Sequence, residues 1–242
     1  MTFEYFICDP GSAIHLPDSL SFEHAAPLFC AGATIYAGIE KANLKKGDVL
    51  GIAGLGALGH LGVQFAKCMV RTNALVRLMW KGLTVVGIDS RKEPLELTKS
   101  LKYSADLLID SSKGKETALE EIKKLKKNSI FPGLDAVVIA TGANEAFEFG
   151  ADLLAKHGTL VVVGQPPKKI EFTFYQFIFR DIKVVGSLLS DAKTCQEMVN
   201  MVAEKGIEVK TKVHLFTLKT DFSRASSWTR SMRWWRNTTN LK

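Results

Sequence analysis

Residues 47–62 constrain this chain more than any other stretch, because they set a glycine turn between an apolar strand pattern and an apolar helix pattern. Val49 to Ala53 form a short apolar run. Gly54-Leu55-Gly56-Ala57-Leu58-Gly59 follows, and Leu61, Phe65, Cys68 and Met69 then recur on one helical side. The order is strand, Gly-x-Gly-x-x-Gly, helix. Gly54 permits the tight turn, Gly56 lets the backbone approach a pyrophosphate, and Gly59 lets helix and strand pack closely. N–H groups at the helix start, with the helix dipole, can hold phosphate charge. The pattern predicts a dinucleotide site.

The rest of the chain reads as alternating strand and helix. Apolar strands are expected at Leu83–Ile88, Asp106–Ile109, Leu134–Ala140, Gly158–Gly164 and Ile182–Ser187. Helical patterns fall at Leu95–Leu101, Glu116–Lys127, Glu145–Ala155 and Lys193–Ala203. Strands without polar alternation, separated by helices, indicate a parallel sheet covered on both faces, a doubly wound α/β fold. Ligands bind such sheets at the carboxyl ends of the strands, which singles out Asp89, Thr141, Val163, Gln165 and Ser187. Ahead of the turn, residues 1–20 read as strand and turn, Ser21 as the cap of a short helix, and Pro27 to Lys41 as one helix.

Asp89 ends the strand after the glycine turn, where a carboxylate can accept hydrogen bonds from ribose hydroxyls and repel a 2′-phosphate. That favours NAD, although Arg91 and Lys92 just beyond it are of the type that accommodates a 2′-phosphate. Asp89 lies thirty residues past Gly59, against the ~20 expected of such units. Removing the twelve residues 70–81 restores the spacing, so that segment reads as inserted.

Composition matters here for where the charge sits. The net charge is +7 over 242 residues. Residues 70–81 carry +3 and residues 219–242 carry +5, which leaves −1 for everything else. The same two segments hold every tryptophan, namely Trp80, Trp228, Trp234 and Trp235. The basic character therefore belongs to them and not to the body. A role in binding single-stranded nucleic acid, by stacking and phosphate contact, is an expectation ranked well below the cofactor site. No apolar run approaches the ~20 residues of a membrane span, and the N-terminus lacks the pattern of a secretory signal. Cys8, Cys30, Cys68 and Cys195 are scattered without a Cys-x-x-Cys pair, which argues against a disulfide framework and fits a reducing, cytoplasmic setting.

The run Leu20-Ser-Phe-Glu-His-Ala-Ala-Pro-Leu-Phe-Cys-Ala-Gly-Ala-Thr34, followed by the glycine turn, resembles the zinc-containing medium-chain alcohol dehydrogenases. The NAD-dependent fungal and bacterial branch is the most similar. Val163-Gly-Gln-Pro-Pro167 and Val185-Gly-Ser-Leu-Leu189 match the same pattern, and the resemblance covers roughly residues 3–69 and 82–218. It implies a Rossmann domain with remnants of a β-rich catalytic domain at both ends, and hydride transfer between an alcohol or aldehyde and NAD. By this resemblance Cys30 takes the position of one catalytic zinc ligand and Thr34 stands beside the nicotinamide. Gly54, Gly56, Ala57, Leu58 and Gly59 would line the pyrophosphate and Asp89 the ribose. Thr141, Val163, Gln165, Ser187 and Leu189 match positions around the nicotinamide half. The lysine that some relatives carry five residues past the ribose acid is Pro94 here.

Departures from the family limit the expectation. A catalytic zinc needs three protein ligands and an open position, and the family's other ligands lie far upstream of Cys30. Only 29 residues precede Cys30, and neither His15 nor His24 matches a ligand motif, so zinc is not expected to be retained. The expected organisation is a catalytic-domain remnant at 1–28, the dinucleotide-binding domain at 29–187 interrupted by 70–81, and at 188–242 a helix and return segment with an aberrant basic, Trp-rich tail. Segment 70–81 and the tail are expected to derive from non-coding or out-of-frame translation, which would make this a truncated chain. A NAD-binding module without redox activity of its own is the alternative to an active dehydrogenase. A homo-oligomer is compatible with the resemblance.

Overall fold

The computed structural model describes residues 7–45, 47–69, 83–126 and 131–210. Segment 70–81, the Trp-rich tail and the first six residues lie outside them, so the expectations that fall there are not addressed.

Six parallel strands form the sheet among the described residues: β1 (Val49–Ala53), β2 (Thr84–Asp89), β3 (Leu107–Asp110), β4 (Leu134–Ile139), β5 (Leu154–Val162) and β6 (Lys183–Gly186). Their order is β3-β2-β1-β4-β5-β6, with every neighbouring pair parallel. The order reverses between β1 and β4, so successive crossovers lie on opposite faces and open a crevice at the carboxyl ends of those two strands. All five residues of β1 are buried, as expected of a strand covered on both faces.

The helices are α1 (Phe22–Ala25), α2 (Ala31–Lys41), α3 (Gly59–Cys68), α4 (Lys92–Ser100), α5 (Lys115–Leu125), α6 (Glu145–Leu153), α7 (Phe174–Ile178) and α8 (Ala192–Lys205). One apolar layer joins α2, α3 and α8 to the sheet through Ile35, Leu61, Phe65, Met198 and Val202, with Tyr36 meeting Phe65 edge-on. The other layer joins α5 and α6 to the opposite face through Ile122, Phe147 and Leu153. Cys195, Met198, Val199 and Val202 recur at helical spacing in α8, which is why this helix seals one side of the core.

Four local expectations change. The helix expected over Pro27–Lys41 breaks at Cys30, where a 3₁₀ turn over Ala26–Phe29 ends and α2 begins. Residues 7–20 contain no strand among those described. Pro10 and Pro17 punctuate them, and Ile14, Leu16 and Leu20 pack onto the core as an irregular segment. The main chain of His15 finds a substitute for a strand partner in the Gln196 amide, which accepts from its N–H at 2.7 Å and donates to its carbonyl at 2.8 Å. The helix expected to reach Ala155 stops at Leu153, because Leu154 already pairs with Leu134 across an irregular register. Finally, α7 has no counterpart in the sequence reading. Its start is held by Gln176, whose Oε1 accepts from the N–H of Thr173 at 2.9 Å, and Thr-x-x-Gln is the spacing that could have revealed it.

The flanks of segment 70–82 meet directly, since the N–H of Leu83 donates to the Ala66 carbonyl at 3.3 Å. The helix-to-strand return is therefore closed by residues on either side of that segment. A second closure joins α3 to residues 208–210. Gln64 is fully buried. Its Nε2 donates to the Glu208 and His60 carbonyls at 2.8 and 3.1 Å, and its Oε1 accepts from the Glu208 N–H at 3.0 Å. Gln64→Leu keeps the volume and leaves the Glu208 main chain unsatisfied, so urea denaturation is expected to show a loss of about 2 kcal/mol. An unchanged midpoint would contradict this role.

Candidate functional site

The carboxyl edge of the sheet is assembled from the glycine turn outward. Gly54 has φ of +92° and donates its N–H to the Ile88 carbonyl at 2.8 Å, tying the turn to the end of β2. A Cβ at Gly54 would lie 2.7 Å from Thr141 Cβ, and one on Gly59 would fall on the Gly54 carbonyl oxygen. Those two glycines are thus required by the fold itself. Gly56 differs. A Cβ there would meet nothing nearer than Arg91 Nη2 at 3.9 Å, so the outer side of the turn is open. Leu55 plugs the core at the base of the turn, Gly56 and Leu58 are half-buried, and Ala57 is exposed. This is a cradle with its mouth at the start of α3, where the His60 N–H meets the Gly56 carbonyl at 3.1 Å and the Gly62 N–H meets the Leu58 carbonyl at 2.9 Å.

Asp89 stands beside it. Its Oδ2 accepts from the Leu55 N–H at 2.8 Å, and its Oδ1 accepts from the Arg91 N–H at 2.9 Å. The Arg91 guanidinium adds Nε to Oδ1 at 3.1 Å and Nη2 to Oδ2 at 3.2 Å. Burial pushes this carboxyl up, but the Arg91 guanidinium and the two N–H groups outweigh it and hold Asp89 below the usual carboxylate range. Asp89 is therefore an anion throughout the neutral range.

The remaining strand ends complete a row. Thr141 is half-buried beside Gly54, and its Oγ1 accepts from the Ala143 N–H at 3.3 Å. The N–H groups of Val163 and Gly164 both reach the Ile139 carbonyl, and the N–H of Ser187 reaches the Val162 carbonyl at 3.0 Å. Ser187 Oγ is buried with no hydrogen-bond partner among the described residues. Gln165 is exposed, and so are Leu188 and Leu189 beyond β6. Helix α2 lies against this end of the row, for a Cβ on Gly38 would come within 2.8 Å of Val163 Cγ2. Thr34 sits one turn earlier on the same side of α2, half-buried, its N–H bonded to the Cys30 carbonyl at 3.1 Å. From Asp89 on β2 to Ser187 on β6 the row crosses four strand intervals, roughly 19 Å. The edge thus offers a carboxylate at one end, an open glycine cradle near the middle and an unpaired hydroxyl at the other end.

Cys30 does not join a cluster. It is exposed at the N-cap of α2, and among the described residues no three His, Cys, Asp or Glu side chains converge as a metal site would need. Two further residues contribute to this edge. Arg91 could be named only as a nearby cation, because its fold-back onto Asp89 depends on the turn after β2. His60, in the first turn of α3, is buried. Its Nδ1 lies 3.0 Å from the Gly56 carbonyl and must donate, which leaves Nε2 to accept from the Lys210 N–H at 3.3 Å. Both ring nitrogens are spoken for only in the neutral form. Burial pushes the His60 pKa below its ordinary 6.5; bonds to the Gly56 and Ala57 main chain oppose this, and the Lys210 charge reinforces it.

The sign of the pH effect follows. A histidine whose folded pKa lies below its unfolded one contributes stability that is present above about 6.5 and lost as pH falls from there through the lower folded pKa. Urea denaturation at pH 7.5 and 5.5 is expected to show lower stability at the acid value. Ring titration by NMR is expected to place His60 below 6.5, and a value above it would contradict the arrangement.

The family model described as zinc-binding dehydrogenase matches residues 57–204. An alcohol dehydrogenase of Geobacillus stearothermophilus is 34% identical over 216 residues, covering 89% of this chain and 57% of that protein. An alcohol dehydrogenase of Rhizobium meliloti (strain 1021) is 29% identical over 201 residues, covering 83% of this chain and 53% of its own length. Among solved structures, the alcohol dehydrogenase of the hyperthermophilic archaeon Aeropyrum pernix aligns with a TM-score of 0.67 at 25% identity, over 82% of this chain and 54% of that one. The chain spans about half the length of the curated relatives it matches.

Proposed function

Because this chain belongs to the zinc-binding dehydrogenase family, we propose that it is the dinucleotide-binding part of an oxidoreductase that moves hydride between an alcohol or aldehyde and NAD. The observation that carries this reading is the contrast within the glycine turn. Gly54 and Gly59 are closed by packing, while Gly56 faces open space at the point where the strand order reverses. A pyrophosphate would lie against Gly56, Ala57 and Leu58 at the start of α3, where main-chain N–H groups and the helix dipole favour an anion. Asp89 would receive the adenosine ribose. Thr141, Val163, Gln165, Ser187 and Leu189 would border the nicotinamide half, with Thr34 on the facing helix and the Ser187 hydroxyl as a ready partner for an amide.

When bound, the nicotinamide supplies the hydride acceptor or donor. The chain's own residues orient it and shield one side through Val163 and α2. Zinc in a dehydrogenase of this kind polarises the substrate oxygen, and Cys30 is the one described residue at a family ligand position. A single exposed thiol does not make a tetrahedral catalytic site, so no step is assigned to zinc in these residues. That same observation favours a second reading, a NAD-binding module without turnover of its own.

The setting proposed is cytoplasmic, in keeping with four free cysteines. No described helix is long and apolar enough to cross a membrane. A second copy of the chain is the proposed protein partner. Segment 70–81 is proposed to be an insertion between α3 and β2, in line with the direct bond between its flanks.

Calorimetric titration with NADH tests the reading. The unaltered chain is expected to bind at micromolar concentration. Gly56→Val is expected to keep stability within about 0.5 kcal/mol, as for a substitution into open space, and to weaken NADH at least ten-fold. Gly54→Ala is expected to lose about 2 kcal/mol or more through left-handed strain and overpacking. Equal NADH affinity in the unaltered chain and Gly56→Val would contradict the assignment.

A further inference from the structure

The loops that follow β4 and β5 lie against each other along the same edge. A Cβ on Gly164 would fall on the Thr141 carbonyl oxygen, and one on Gly142 would lie 3.0 Å from the Gln165 carbonyl oxygen. The N–H of Gly164 fastens the start of the second loop to the Ile139 carbonyl at 2.7 Å. Beyond that point the main chain has little to hold it. Pro166 and Pro167 carry no N–H, and among the described residues the main chain of 165–169 makes no main-chain hydrogen bond.

Asn144 supplies the missing tie. It stands at the N-cap of α6, where an asparagine ordinarily turns its Oδ1 toward the N–H groups of the first helical turn. Here no side-chain cap bond forms. Nδ2 instead donates across the edge to the Lys168 carbonyl at 3.3 Å and the Lys169 carbonyl at 3.1 Å. Two carbonyls can only accept, so the group that faces them is the amide nitrogen, with a proton for each. The helix forgoes a favourable cap, and the loop that carries Gln165 is held at both ends.

We propose that Asn144 is a positioning residue for the nicotinamide half of the site: its amide protons, spent on the Lys168 and Lys169 carbonyls, hold the loop that carries Gln165 against the loop that carries Thr141. This rests on the dinucleotide reading given above. Thr141, Val163 and Gln165 are the residues which that reading sets beside the nicotinamide, and they lie on the two loops that Asn144 joins. Gly56 and Asp89, on the pyrophosphate and ribose side, belong to β1 and β2 and have no part in the tie. A loop fastened before the ligand arrives spares binding the entropy of ordering it. Asn144 therefore acts on a ligand that carries nicotinamide and not on its ADP-ribose half.

The test is calorimetric titration of the full chain, of Asn144→Ala and of Asn144→Asp with NADH and with ADP-ribose, which lacks the nicotinamide. Urea denaturation of each variant checks folding. Asn144→Ala removes the donor without adding charge. Asn144→Asp keeps the shape and suits a helix start, yet has no proton to offer two carbonyls. Both are expected to weaken NADH about five-fold or more and to leave ADP-ribose within about two-fold, because only the ordering of one loop changes. Should one variant fail to fold, the other decides, and failure of both would make Asn144 a support of the whole sheet and overturn the inference. NADH affinity unchanged in Asn144→Ala, or both ligands weakened alike, overturns the inference while the dinucleotide reading stands. Absence of binding by either ligand to the unaltered, folded chain overturns both.

Discussion

Everything at the carboxyl edge of the sheet depends on how closely α3 leaves the end of β1. The chain turns at Gly54 with a positive φ, and Gly59 comes back against the Gly54 carbonyl with no room for a side chain. That approach sets the start of α3 directly above the sheet, between β2 and β4. It brings Leu55 down as a fully buried plug, and it presents the Leu55 N–H to Asp89. The open face of Gly56, the anchoring of Asp89 and the contact with Thr141 all follow from this one turn. Hydrophobic burial holds the layers together, yet the position of the site is fixed by the absence of two Cβ atoms.

A second constraint works from the far side of α3. His60 and Gln64 are buried polar residues one turn apart, and each is satisfied by main chain. His60 joins the Gly56 carbonyl to the Lys210 N–H, so the glycine turn and residues 208–210 share one ring. Replacing such a pair with apolar side chains would leave main-chain groups unpaired in the core. These bonds to main chain hold the start of α3 and the glycine turn in one arrangement.

The sheet was legible in the sequence because each central strand is an unbroken apolar run, as in Val137-Val138-Ile139 or Leu160-Val161, and because helical patterns separate them. The turn was legible because strand, glycines and helix occur together. Asp89 was found by its place at the end of a strand, even with segment 70–81 stretching the spacing. Less local features were hidden. The pairing of Gln196 with His15 and of Gln64 with Glu208 joins residues more than a hundred positions apart, and an amide side chain carries no periodic signal. Helix α7 is a short turn whose apolar residues Phe174, Tyr175 and Ile178 are exposed and whose buried residue is Gln176, so apolar spacing does not mark it as a core helix. The break at Cys30 arises from a 3₁₀ turn over Ala26–Phe29 that contains Pro27, which helical spacing alone does not distinguish from a continuous helix.

The central claim is that one edge of the sheet, and only that edge, receives a dinucleotide. Amide hydrogen exchange of the full chain, with and without saturating NADH, tests it most directly. The account predicts slowed exchange at Leu55–Gly59, Asp89–Arg91, Thr141–Ala143 and Val163–Gln165, with the opposite ends of the strands, at Val49, Thr84 and Leu134, unchanged. Protection confined to those opposite ends, or spread evenly over the whole sheet, would contradict it.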